Sequence, residues 1–331
     1  MNLRVIRCPG CSAEVKVPET GHTTTCPYCG LTFRVTPAGA EELEVDHFYF
    51  PLDRRDPYDL MMRFVERQYG VPADIRTSSY LTGRELHFVP VYFFYVHGVA
   101  EAERDDGRRV LVEEVDFIGF PAVELPIAKM LWEYPFPIRG RRFFEERIMK
   151  MGRYYEPVIA KDRAERMALE YLRILIDEEA RRSVEPLGRI IERRMEVRFR
   201  GLVHYPVWEL HYHYKGKEYK GYVDGATGMV IEVEYPIALR ARAVQMALAG
   251  LFILLGVLIP TMIIAITRCS PLALAAGTVT GIVAAMAPFT RTIKRVLKAS
   301  QVSKFLTRRR HRRRGAHERF LRLLGTIRIK W

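Results

Sequence analysis

From Ala243 to Thr267 the chain reads AVQMALAGLFILLGVLIPTMIIAIT, 25 residues without a charge. As a helix rising about 1.5 Å per residue, such a segment crosses a hydrocarbon core of roughly 30 Å, and no other feature limits the possible folds so strongly. A second apolar stretch, Leu272 to Phe289, is rich in Gly, Ala and Thr and follows after only Arg268, Cys269, Ser270 and Pro271. Together they predict a transmembrane helical hairpin over 241–290. Pro260 and Pro288 are compatible with it, because neighbouring groups in a bundle satisfy the freed backbone. The alternative is a buried hairpin of a soluble domain.

Lys and Arg are retained on the cytoplasmic side of membrane spans. Arg240 and Arg242 precede the first stretch, and Arg291, Lys294, Arg295 and Lys298 follow the second. The expectation is an integral protein of the cell membrane with both termini cytoplasmic. Met1 to Arg7 lacks the apolar core of a secretory signal.

Charge is unevenly distributed. The chain carries 52 Lys and Arg against 39 Asp and Glu, and 15 of those bases lie in 291–331 beside the single acid Glu318. That leaves 37 bases against 38 acids upstream, so the net +13 belongs to the tail. Ile293, Val296, Leu297 and Phe305 fit one helical stripe with Lys294, Arg295, Lys298 and Lys304 around it, which predicts a basic helical tail along the inner leaflet. Arg308, Arg309, Arg310, Arg312, Arg313 and Arg314 follow around His311. Such a run attracts anionic lipid at about 1 kcal/mol per charge, or nucleic-acid phosphate by counterion release. The plainer reading is a flank that only fixes topology.

At the other end, Cys8-Pro-Gly-Cys11 and Cys26-Pro-Tyr-Cys29 are separated by 14 residues. Four thiolates on two tight knuckles surround one tetrahedral Zn²⁺ and close its shell, which makes the metal structural. Iron fits the same ligand set and stays open as an alternative. Two disulfides fit poorly with a reducing compartment. Strand-like Ala13–Val17 and Leu31–Val35 flank the knuckles, and the segment 1–36 resembles zinc ribbons of the transcription-factor and rubredoxin-like type. Pro37 to Glu44 reads as a linker.

The centre of the chain reads as two related α+β modules, 45–150 and 153–236. In the first, a helix over about Pro57 to Tyr69 precedes strands at Glu85–Val96 and Arg109–Phe117. In the second, a helix over about Lys161 to Arg181 precedes strands at Met195–Phe199 and His204–Tyr214. Pro51 and Pro90 mark one unit, Pro157 and Pro206 the other, which suggests duplication. Tyr219–Val223 and Met229–Val233 then form a hairpin around Asp224-Gly-Ala-Thr-Gly228. The predicted fold class is therefore α+β: a ribbon, two modules, a membrane hairpin and a basic tail.

The runs Tyr205-Pro-Val-Trp208, Tyr214 to Tyr219 and Val223 to Val230 resemble a pattern in uncharacterised membrane-anchored zinc-ribbon proteins of archaea and bacteria. Those proteins place an aromatic hairpin module between an N-terminal ribbon and C-terminal membrane helices. Asp224 to Val230 is also similar to the hairpin of PepSY-type modules. The resemblance implies no reaction. Tyr205, Trp208, Tyr212, Tyr214 and Asp224 are its candidate partner-binding residues.

Glu209, His211 and His213 share a strand face and form a conceivable acid-base or metal cluster. Phosphate-loop, nucleophile-elbow and His-Glu-x-x-His patterns are missing, so the chain does not read as an enzyme. The expected function is a cytoplasmic zinc-ribbon adaptor anchored at the membrane and binding a macromolecular partner. The alternatives are a nucleic-acid or ribosome tether, and a regulator of a membrane protease or other membrane enzyme.

Overall fold

The computed structural model describes residues 3–18, 23–37, 39–43, 46–132, 134–185, 188–267, 276, 278–286 and 296–303. The N-terminal elements are β1 (Leu3–Arg7), β2 (Glu14–Pro18), β3 (Thr23–Thr25), β4 (Thr32–Thr36) and β5 (Gly39–Glu42). Then come β6 (His47–Tyr49), α1 (Pro57–Val65), α2 (Ile75–Ser78), β7 (Ser79–Glu103), β8 (Arg109–Pro121), α3 (Pro126–Met130), β9 (Arg142–Phe143), α4 (Ile148–Met151), β10 (Arg153–Tyr154) and α5 (Lys161–Ser183). The chain continues through β11 (Arg189–Tyr214), β12 (Lys217–Asp224), β13 (Val230–Pro236), α6 (Leu239–Thr267) and β14 (Val296–Ala299). The architecture is mixed α+β and dominated by sheet.

β-Branched and aromatic residues crowd β7 and β11, and both strands run far longer than the common five or six residues. They pair antiparallel along nearly their full length, from Ser79 opposite Tyr214 to Glu103 opposite Arg189. The two strands expected around Met195 and His204 are thus one, bent by a bulge at Gly201, whose φ of 116° suits glycine. The largest sheet runs β10-β7-β11-β12-β13-β14, with β8 on the far side of β7 and β6 on β11.

Helices cover parts of this sheet. Asp56 caps α1 by accepting from the Tyr58 N–H at 2.7 Å, with Pro57 in the first turn. The helix lays Met61, Met62 and Val65 on Leu210, Tyr212, Val223 and Val233. The longer α5 lays Ala164, Met167, Tyr171, Leu172 and Leu175 on Phe94, Val96, Ile118 and Phe120. Each helix therefore packs on the hairpin that follows the other helix. Val89 and Tyr205, each one residue before its proline, are register partners at the middle of this arrangement.

Two local expectations change. Gly39–Glu42, read as linker, is a strand that pairs with β4 and completes a three-stranded sheet with β3. Val296–Ala299, read as part of an amphipathic helix, is the edge strand β14 on β13. Lys298 there reaches Glu232 at 2.7 Å and Glu234 at 3.5 Å. The alternating pairs Val296/Lys298 and Leu297/Ala299 satisfy a strand as well as a helix, and the neighbouring acids on β13 favour the strand.

Leu239–Met262 within α6 is long and apolar enough to cross a membrane by length and composition. It is the one such helix among the described residues. Residues 278–286 are also helical, and a Cβ at Gly281 would meet Phe252 O at 2.8 Å and Gly256 Cα at 2.9 Å, so this segment lies against α6. The link at Arg268–Pro271, the flanking bases Arg291, Lys294 and Arg295, and Arg308 to Arg314 lie outside the described residues.

Candidate metal centre

The two C-x-x-C turns fold alike. Cys8 N donates to Ala13 O at 2.9 Å and Ser12 N to Cys8 O at 2.8 Å; Cys26 N donates to Leu31 O at 2.8 Å and Gly30 N to Cys26 O at 3.1 Å. The residue after the second cysteine of each pair takes positive φ, 59° at Ser12 and 68° at Gly30. Ser12 is exposed and tolerates a side chain. At Gly30 a Cβ would come within 2.1 Å of the Phe117 ring, so glycine is required for both backbone and contact.

The knuckles bring the sulfurs of Cys8, Cys11, Cys26 and Cys29 within 4.8 Å of one another. Cys8 and Cys29, and Cys11 and Cys26, stand 3.7 Å apart. That is far beyond the roughly 2.05 Å of a disulfide. A tetrahedron with metal–sulfur bonds of about 2.3 Å has edges of about 3.8 Å, so the cage has the dimensions for one metal ion. Cys26 is the main cause, with Cys8 and burial adding, that pushes the Cys29 thiol up; a bound cation would let all four sulfurs ionise together.

Three arginines from the sheet and its loops hold the cage. Arg200 on β11 donates from Nε to Cys29 O at 2.9 Å, and Arg198 from Nη1 to Gly10 O at 2.6 Å. Arg141, before β9, donates to Gly30 O, to Arg200 O at 2.9 Å and to Thr32 Oγ1 at 2.8 Å, with its guanidinium over the Phe48 ring. Arg141 and Arg200 are both buried. Burial first, then the neighbouring Arg200, lowers the Arg141 pKa to about 9, opposed by Cys29. Nothing in the local sequence around Arg139-Gly-Arg-Arg142 marks these residues, because the contact spans more than one hundred positions.

The aromatic candidates occupy a different place. Tyr205, Tyr212, Tyr214 and Asp224 are buried, so they belong to the interior rather than to a partner surface; Trp208 is half-buried under the Arg84 guanidinium at 4.2 Å. Asp224 closes the β12–β13 turn. Its carboxylate accepts from Tyr134 Oη at 2.5 Å, Tyr205 Oη at 2.7 Å, the Thr227 hydroxyl and the Ala226 N–H at 2.8 Å. Burial, followed by the Asp224 charge, pushes both tyrosine hydroxyls upward in pKa. The arrangement satisfies a buried anion by hydrogen bonds alone.

Glu209 and His211 do meet, at 3.1 Å, and His87 Nε2 approaches Glu209 at 3.4 Å. Burial lowers the His87 pKa against the pull of Glu209 and Glu85. His213 turns instead to Tyr80, at 3.3 Å. Among the described residues the four cysteines are the one set whose ligand atoms converge on a single metal position.

No family model, no curated protein and no solved structure matches this chain.

Proposed function

We propose that the chain is a membrane-anchored cytoplasmic adaptor, in which a zinc-loaded ribbon, carried on a duplicated aromatic α+β body, binds a macromolecular partner at the inner membrane face. The observation that carries this reading is the pairing of Pro236 with Val296. The chain leaves the sheet at Pro236, enters α6 three residues later, at Leu239, and returns to the same strand after the second apolar stretch. A segment whose two ends are stitched together crosses a bilayer an even number of times, as a hairpin does.

The register pair Val89–Tyr205 and the reciprocal packing of α1 and α5 support the duplication. Zinc suits the closed four-thiolate shell, which leaves no position for a catalytic water. With Tyr205, Tyr212, Tyr214 and Asp224 buried and Trp208 half-buried, the recognition surface falls on the ribbon, where Leu3, Val5 and Tyr28 are 58%, 54% and 61% exposed. The tail, by this reading, holds anionic lipid or simply secures topology.

The test is a crosslinked pull-down from membranes, with and without nuclease. It compares the full chain, a truncation after Ser303, and Leu3→Asp with Tyr28→Asp. The adaptor reading expects the same protein partners regardless of nuclease and tail, and their loss in the ribbon variant. Recovery of nucleic acid that disappears on truncation would replace it with the tether.

A further inference from the structure

We infer that Arg141 and Arg200 are the charge-compensating residues of the metal centre, and that they select a divalent ion by neutralising its dianionic four-thiolate complex. The inference rests on the reading that Cys8, Cys11, Cys26 and Cys29 hold a metal.

The argument begins with charge. A guanidinium stays protonated in proteins, and a buried charge requires a counter-charge or a dense set of hydrogen bonds. Arg141 and Arg200 are each 8% exposed. Among the described residues their hydrogen bonds go only to carbonyl oxygens and one threonine hydroxyl, and never to a carboxylate. They also adjoin one another, since Arg141 donates to the Arg200 carbonyl at 2.9 Å. Among the described residues no carboxylate pairs directly with either cation; Glu196 acts on Arg200 from a distance while it is itself paired with Arg198. Beside the two cations lies a cage of four cysteines which, with four thiolates and one M²⁺, carries −2.

Geometry places the two charges together. Arg200 and Arg141 donate to the carbonyls of Cys29 and Gly30, consecutive residues of the second knuckle. Among the described residues, the buried Arg200 Nη2 has no hydrogen-bond partner. A Cβ built on Gly10 would lie 2.8 Å from Leu31 Cδ2, 3.4 Å from that Nη2 and 3.6 Å from Cys29 Sγ, so the guanidinium nitrogen and the sulfur both border Gly10, where Leu31 packs and a side chain would not fit. The more exposed Arg198 nearby pairs with an acid, Glu196. Arg141 and Arg200 face the metal ligands instead.

The consequence concerns which ion and which oxidation state the cage prefers. M(II) with four thiolates is dianionic, and M(III) is monoanionic. Two nearby cations favour the former. They act through electrostatics and knuckle position, without ligating the ion, as outer groups do at other metal sites.

Iron is the probe that reads this preference directly. The full chain in detergent is loaded with iron, and the Fe(III)/Fe(II) midpoint potential is measured for the wild type, Arg141→Gln, Arg200→Gln, Arg141→Lys and Arg200→Lys. Each Gln variant is expected to lower the potential, a tenfold loss of preference for Fe(II) appearing as about 59 mV, and each Lys variant to recover most of the shift. Zinc affinity, by chelator competition, is expected to fall about 10- to 100-fold in the Gln variants. Should a Gln variant fail to load, the matching Lys variant is expected to load, and failure of both overturns the proposal. Normal loading with unmoved potentials overturns it and leaves the metal reading intact. A wild-type chain that takes up neither iron nor zinc overturns both.

Discussion

His204 has no exposed surface, and its Nε2 lies 2.9 Å from His47 Nε2 and 3.1 Å from Tyr154 Oη. Burial, then the neighbouring His47, lowers its pKa from 6.5 to about 3. The unfolded chain therefore binds a proton at this position between those values while the folded chain does not. Stability is complete above pH 6.5, and falls as pH drops toward 3. By pH 5 the loss from this one residue is about 2 kcal/mol. His47 and His87, both lowered chiefly by burial, act in the same direction. Thermal unfolding of the full chain in detergent at pH 7.5 and 5 is expected to show this fall, with a flatter profile in His204→Gln. An unchanged profile in that variant would assign the pH sensitivity to other groups. Burial of this kind cannot be read from a short His-Tyr-Pro run, which fits an exposed strand equally well.

Elements obey periodicity where one partner dominates, and depart from it where several compete. α1, α5, β8 and the β12–β13 hairpin follow their apolar patterns, because the two helices each lay one face on the sheet and these strands each turn one face to a helix. β14 has four residues with little intrinsic preference, and its state is set by hydrogen bonds to β13 and by Lys298 between Glu232 and Glu234. The contact between α6 and the helix at 278–286 is equally specific. Gly281 approaches the backbone of Phe252 and Gly256, whereas Gly250 has no atom of the described residues within 4 Å of a built Cβ. Small residues allow close helix approach in a bilayer. Gly281→Leu is therefore expected to separate the helices and cost about 1–3 kcal/mol, as overpacking does, while Gly250→Leu leaves the thermal midpoint unmoved. Equal midpoints for the two variants would remove the helix contact from the account.

At the scale of the molecule, the sheet ties the metal cage, the aromatic body and the apolar segment to one framework. Since β13 and β14 pair, residues before and after the apolar segment share one side of any membrane it crosses. Single cysteines placed at Tyr69 and Ser303, both exposed, are expected to react with an impermeant maleimide in inverted vesicles and to stay protected in intact cells. Opposite sidedness would break the hairpin proposal; shared reaction in intact cells would invert the orientation. Sequence alone determined what depends on local spacing: the four candidate metal-binding cysteines on two C-x-x-C turns, the long apolar run, the helices with a single buried stripe, and the glycine-rich turn after Asp224. Tertiary structure decided what depends on partners distant in the chain. It joined two strands of about 25 residues each into one ribbon, put Tyr205, Tyr212 and Asp224 in the interior, turned the supposed linker into β5, and brought Arg141 and Arg200 to the cysteines. The physical reason is that propensity and periodicity act within a few residues, whereas burial and charge compensation depend on which distant surfaces the register of β7 on β11 brings into contact.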